Sequence, residues 1–179
     1  MVGRRDFEDI LSAEMVSLTG GVLAGSLLLL FSGALERLPG LLILLPGFLE
    51  LRGSVSGALS ARLSSGLLLG VLKPRWGGRI LRGNVVAALA IAFIAAILLA
   101  GLAYGLSGWL FGAADARIFA VALLAVAVTS LIEVPVTVGA TYRLFRRGHD
   151  PNNVMGPYVT MMGDVLSVVS LLIAVGVLL

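Results

Sequence analysis

Long, uninterrupted apolar stretches dominate the pattern of hydrophobic and polar positions along the chain. A helix needs roughly 20 apolar residues to bridge the hydrocarbon core of a bilayer, which is about 30 Å thick. Five stretches meet that requirement: residues 15–35, 41–72, 84–106, 117–144 and 153–179. Because backbone in lipid must form its hydrogen bonds internally, each stretch is expected to be helical. The pattern therefore predicts an all-α membrane protein with five transmembrane helices per chain.

Two segments of this pattern are irregular. The second stretch is longer than one perpendicular helix needs and contains Pro46 and Gly47, so it is expected to tilt, kink or be interrupted. Residues 1–14, which precede the first stretch, are rich in charged residues. They are interpreted as a cytoplasmic leader or an interfacial helix, and residues 15–179 as one transmembrane domain.

The basic residues between the stretches predict the topology. They cluster after the second and fourth stretches, at Lys73, Arg75, Arg79, Arg82, Arg143, Arg146 and Arg147. The other two loops carry one basic residue each, Arg37 and Arg117, next to the acids Glu36 and Asp115. Under the positive-inside rule the two basic loops and the N-terminus are cytoplasmic, and the C-terminus lies outside.

The composition supports a multi-pass protein of the cell membrane, surrounded by the lipid bilayer. Hydrophobic residues make up 59% of the chain and charged residues 13%, a balance far from that of a soluble domain. The absence of cysteine excludes thiolate catalysis and Cys-ligated metal sites. The basic residues behind the net charge of +3 lie between apolar stretches rather than along one soluble face, so no nucleic-acid partner is expected. No bound cofactor is expected either.

Ionisable residues inside the apolar stretches are the best functional candidates, because a charge at bilayer depth is costly unless it is paired or hydrated. Asp164 lies near the middle of the fifth stretch, and no basic residue accompanies it there. It either lines a cation path or is a structural acid. Glu50 is either a ligand or the partner of Arg52 or Arg62, and Glu133 is either a ligand or a structural partner.

Oxygen ligands for a hard cation occur close to these acids. Pro46, Pro135 and Pro157 each free the carbonyl four residues earlier, which for Pro157 is that of Asn153. Thr160 and Ser54 add hydroxyls, and this donor set suits Mg²⁺. The lone His149 is expected to be solvated in a loop. Small residues spaced four apart, such as Gly20 with Ala24 and Gly21 with Gly25, are expected to allow close helix crossings.

Two segments resemble the MgtE and SLC41 family of magnesium transporters and channels. Residues 46–65, PGFLELRGSVSGALSARLSS, are similar to the second-helix signature of that family. Residues 150–164, DPNNVMGPYVTMMGD, are similar to its fifth-helix pattern, which ends in a membrane-embedded aspartate. The resemblance implies that Asp164 occupies the place of the pore carboxylate, near the two-fold axis of a homodimer. Ser54 stands where the family usually has asparagine.

These observations together predict divalent cation transport, with Mg²⁺ as the transported ion and a homodimeric polar path lined by Asp164. The alternative is a non-catalytic membrane subunit that packs against a larger permease. An enzyme is not expected, because the chain has neither a paired-aspartate helix motif nor a serine and histidine dyad. The candidate metal ligands are Asp164, Thr160, Glu50, Ser54, Glu133 and Asn153.

Overall fold

Five helices long and apolar enough to cross a membrane occur in the part of the chain that the computed structural model describes, residues 4–31, 33 and 37–179. Helix α1 spans Arg4–Leu27 and continues as a 3-10 turn over Leu28–Phe31. It is followed by α2 at Leu41–Leu68, α3 at Arg79–Phe111, α4 at Arg117–Arg146 and α5 at Pro151–Leu178. The described residues contain no strand. The prediction of five membrane-length helices is confirmed.

The helix ends differ from the predicted stretches. Residues 4–14, predicted as a leader or interfacial helix, are continuous with the rest of α1, because the charged residues there are compatible with helical backbone. The predicted end of the first stretch at residue 35 and the neighbouring Glu36 lie outside the described residues. Helix α2 runs without interruption through Pro46, so the proline removes one hydrogen bond without breaking the helix.

Local sequence signals account for the ends of α3 and α5. Asp150 precedes α5, and its side chain accepts a 2.9 Å hydrogen bond from the backbone N–H of Asn152. Pro151 then occupies the first helical position, where its missing N–H is not needed. Helix α3 ends at Gly112, which has a φ of 65° that favours glycine.

Helix α5 lies at the centre of the bundle and packs against α1, α2 and α4, whereas α1 packs mainly on α5. Helix α3 contacts α2 and α4 through a stripe of small residues. This stripe consists of Ala88, Ala92, Ala96, Ala100 and Ala103, all buried. Larger side chains such as Ile94 and Leu98 point away from the bundle, as expected for a helix that faces lipid on its other side.

Two contacts place three basic segments at one end of the bundle. His149 in the α4–α5 loop bonds through Nδ1 to Asp9 Oδ2 of α1 at 2.9 Å, so the histidine is partly buried rather than solvated as predicted. Arg146 donates a hydrogen bond to the carbonyl of Pro74 in the α2–α3 loop. The start of α1 and these two loops therefore share one end, hereafter the basic end.

The opposite end carries the α3–α4 loop. Arg117 there donates hydrogen bonds to Asp115, and they lower the pKa of this exposed carboxyl below its ordinary value. Both side chains are solvent-accessible, so the pair contributes little to stability.

A buried ion pair joins α2 to α4 in the middle of the bundle. Arg52 donates to the carboxylate of Glu133, and both side chains have no exposed area. Arg52 also donates to the hydroxyl of Ser130 at 3.2 Å. The pairing of Arg52 with Glu50, one of the alternatives considered for Glu50, is therefore not formed. Arg52 faces the interior, whereas Glu50 is exposed on α2.

Removing one member of this ion pair is expected to destabilise the protein by about 3–5 kcal/mol, because the other charge is left buried without a partner. The single variant Glu133→Leu should therefore unfold at a lower temperature than wild type in detergent, as followed by circular dichroism. The double variant with Arg52→Leu should recover much of the loss, because it removes the orphaned charge. A loss in the double variant equal to the sum of the losses in the two single variants would show that the pair contributes no coupling.

A glycine allows α1 to approach α5 closely. A Cβ added at Gly20 would lie 1.8 Å from Cγ of Met161, a distance that no real contact reaches. A Cβ added at the next residue, Gly21, would meet nothing within 4 Å. The predicted role of α1 glycines in close crossings is thus confirmed at Gly20 by geometry, and Gly21 is on an open face.

Gly20→Ala is expected to destabilise the protein by about 1–3 kcal/mol, because the methyl group forces α1 and α5 apart or displaces Met161. Gly21→Ala is the matched control, since both substitutions raise helix propensity equally. Thermal unfolding in detergent should show a loss for Gly20→Ala and no loss for Gly21→Ala. Similar behaviour of the two variants would contradict the close crossing.

Candidate cation site

A cavity of about 620 Å³ opens on the side of the bundle between α1, α2 and α5. Its polar lining residues are Glu50, Ser54, Thr160 and Asp164. These are four of the six residues predicted as metal ligands from the sequence. No basic side chain from the described part of the chain lines the cavity, so its carboxylates face a space in which none of these residues neutralises them.

Asp164 lies midway along α5. It follows Pro151, the first residue of the helix, by thirteen positions, or about 20 Å at 1.5 Å per residue. A similar length of helix follows it, up to Leu178. Its side chain is half-buried and lines the cavity. The carboxylate is therefore accessible to an ion at mid-height in the bundle.

Glu50 and Ser54 provide the wall on α2. They are one helical turn apart, and the Ser54 hydroxyl donates a 3.0 Å hydrogen bond to Oε1 of Glu50. This hydrogen bond orients the Glu50 carboxylate and does not involve its other oxygen, Oε2. Glu50 and Asp164 are close enough to interact electrostatically. Because two negative charges repel each other, a cation between the Glu50 and Asp164 carboxylates would be favoured.

Thr160 lies one turn before Asp164 on the same face of α5. Its hydroxyl donates to the Gly156 carbonyl at 3.1 Å, and its oxygen lone pairs remain available as acceptors. A Cβ added at Gly53 of α2 would lie 3.7 Å from this hydroxyl oxygen. A Cβ there would make an ordinary van der Waals contact, so the α2 and α5 walls lie next to each other at Gly53.

Glu133 and Asn153 were also predicted as ligands, but they do not line the cavity. Glu133 is held by Arg52 on the other side of α5, where a Cβ at Gly163 would come within 3.2 Å of Glu133 Oε1. Asn153 lies in the first turn of α5, about 16 Å along the helix from Asp164. Of the two roles considered for Glu133, ligand or structural partner, the ion pair with Arg52 fits the second.

The sequence reasoning missed the contribution of α1 to this site. Gly21 and Gly25 line the cavity, and a Cβ added at either position would meet nothing within 4 Å. They were predicted to allow close helix crossings, yet both face the open space. Their four-residue spacing marks one face of a helix, but spacing alone does not reveal whether that face meets a helix or a cavity.

The donor set suits a hard cation that retains part of its water shell. Among the described residues, no group of three or more His, Cys, Asp or Glu side chains is positioned to hold a metal ion. The cavity instead offers two carboxylates and two hydroxyls. Mg²⁺ keeps several waters and uses one or two carboxylates, so a wide cavity with few protein ligands fits it.

The family comparison agrees with this chemistry. Residues 45–174, nearly three quarters of the chain, match the family model MgtE, described as a divalent cation transporter. The match covers α5 up to residue 174 and includes the four polar residues of the cavity. The curated proteins and the solved structures yield no match. The chain therefore belongs to the MgtE family of divalent cation transporters.

Proposed function

We propose that this protein carries Mg²⁺ across the cell membrane, with the ion passing through the cavity between α1, α2 and α5. The observation that carries this proposal is the convergence of Asp164, Glu50, Thr160 and Ser54 on one cavity at mid-height. A largely hydrated Mg²⁺ would contact these oxygens directly or through its waters. The lining contains no cysteine, histidine or methionine, which disfavours copper and high-affinity zinc.

A homodimer would complete this path. The cavity opens on the outside of one chain, where an unpaired carboxylate would otherwise face lipid. A second copy related by a two-fold axis would cover the opening and present its own Asp164 and Glu50. The twofold increase in carboxylates compensates for the small number of ligands in one chain.

The membrane potential would drive uptake without a further energy source. The N-terminus and both basic loops share one end of the bundle, which we assign to the cytoplasm, with the C-terminus outside. One elementary charge gains about 2.3 kcal/mol per 100 mV on moving inward, so a divalent cation gains roughly twice that.

Asp164→Asn is expected to abolish most Mg²⁺ uptake into proteoliposomes held at an inside-negative potential, because the amide keeps the shape but loses the charge. Uptake is measured with a magnesium-sensitive dye inside the vesicles. Asp115→Asn is the matched control: it removes an acid at the end of the bundle, outside the cavity, and should leave uptake unchanged.

Both variants must first elute as wild type does in size-exclusion chromatography. Equal uptake by wild type and folded Asp164→Asn would remove Asp164 from the path. No uptake by folded wild type would instead support a subunit that needs a larger permease. A dimer would be detected in the same chromatography by light scattering, and a monomer that conducts would exclude the two-fold path.

The absence of native cysteine allows a direct test of which α2 residues face the ion. Ser54→Cys is expected to react with a water-soluble methanethiosulfonate reagent, and millimolar Mg²⁺ should slow that reaction several-fold by occupying the cavity. Ser56→Cys is the control, since Ser56 is 1% exposed and faces the bundle interior. Equal protection of both thiols would indicate a general stabilisation of the protein by Mg²⁺ rather than binding beside Ser54.

A further inference from the structure

A second cavity, of about 670 Å³, lies at the basic end of the bundle. It is formed by the last turns of α4, the first half of α5 and the α2–α3 loop. Arg143, Arg146 and Arg147 line it, together with Trp76 and Tyr142. None of these residues lines the cavity that contains Asp164. The second cavity is therefore a separate feature of the protein.

The charge of this second cavity is uncompensated. Among the residues that the structure describes, its lining includes three arginines and no acidic residue. Arg146 donates to the Pro74 carbonyl, which fixes its position and leaves its charge unneutralised. In the described part of the chain, neither Arg143 nor Arg147 forms an ion pair. Guanidinium groups arranged in this way favour phosphate, to which arginine can donate two parallel hydrogen bonds.

Tyr142 provides an independent indication of a ligand. Its side chain is 3% exposed, and its hydroxyl has no hydrogen-bond partner among the described residues. The ring is held edge-on against Trp76, with the ring centroids 6.3 Å apart. Buried hydroxyl groups nearly always have a partner, so a group bound in the cavity would supply the missing acceptor.

The shape of the second cavity favours a lipid over a free anion. From Arg147 the lining extends back along α4 to Val136, about 16 Å. The far part is apolar and made of small residues, Gly139 and Ala140 beside Val136. Trp76 lies in the α2–α3 loop at the basic end and is 61% exposed, and tryptophans just beyond membrane-spanning helices typically lie at the interface of a bilayer. A phosphate at the arginines and an acyl chain along the apolar part would fill both regions.

We propose that this second cavity binds the phosphate headgroup of an anionic phospholipid. The three arginines hold the phosphate, the Tyr142 hydroxyl donates to one of its oxygens, and one acyl chain lies along α4. Such binding would link the α2–α3 loop to α4 and α5 through a single ligand. It concerns residues that do not take part in the proposed cation path.

Tryptophan fluorescence can test this proposal on the intact protein. The chain has two tryptophans, and Trp109 is 80% exposed near the end of α3, so Trp109→Phe leaves Trp76 as the only reporter. The variant is reconstituted in phosphatidylcholine vesicles that contain a minor fraction of brominated lipid. Brominated phosphatidylglycerol should quench Trp76 with a relative affinity about five-fold or more above that of brominated phosphatidylcholine, the factor expected for one basic residue near an anionic lipid.

Two further variants, both in the Trp109→Phe background, distinguish binding in the second cavity from a general attraction of anionic lipid to the basic end. Arg143→Gln with Arg147→Gln should abolish the preference for phosphatidylglycerol. Arg75→Gln with Arg79→Gln removes the same charge from a different cavity at the same end and should preserve it. Equal quenching by the two lipids, or an equal loss of preference in both double variants, would overturn the proposal. Displacement of the lipid preference by inorganic phosphate would assign the site to a free anion instead.

Discussion

The close crossing of α2 and α5 organises the polar interior of this protein. A Cβ at Gly163 of α5 would come within 3.5 Å of the backbone nitrogen of Gly53 on α2, so neither helix carries a side chain between them at this point. Residues on one side of the crossing face the interior, where Arg52 lies. Residues on the other side, including Asp164, face the open cavity. Larger side chains at the crossing would separate the two polar walls of the cavity.

Around this crossing, two acids at mid-height in the bundle have opposite surroundings. Glu133 has no exposed area and is neutralised by Arg52, so it holds α2 and α4 together and is unavailable to an ion. Asp164, next to Gly163, is half-buried and no arginine or lysine lines its cavity. Carboxylates at similar height in the bundle thus differ in their surroundings, because only Glu133 has a buried cation as a partner. The position of an acid along its helix does not reveal whether it is paired.

Much of this arrangement could be predicted from the sequence, because membrane-length apolar stretches and proline or glycine signals act locally. The five helices, the grouping of the N-terminus with the basic loops, and the prominence of Asp164 followed from such signals. The partner of Arg52 could not be predicted, since Glu50 is near it in sequence but Glu133 is near it in space. The part that α1 plays in the cavity, which it lines through Gly21 and Gly25, also depends on tertiary packing and could not be predicted. His149 was predicted to be solvated for the same reason: its partner, Asp9, is 140 residues away.

The packing of α1 on α5 has a consequence for the order in which the protein assembles. Helix α1, which is synthesised before α5, packs mainly on it, and the cavity needs α1, α2 and α5 together. During synthesis α1 therefore waits in lipid with its apolar faces exposed, as its many outward leucines and valines allow. The cavity cannot form until α5 has been inserted. Until then the α2 wall, with Glu50 and Ser54, and the α5 wall, with Thr160 and Asp164, remain apart.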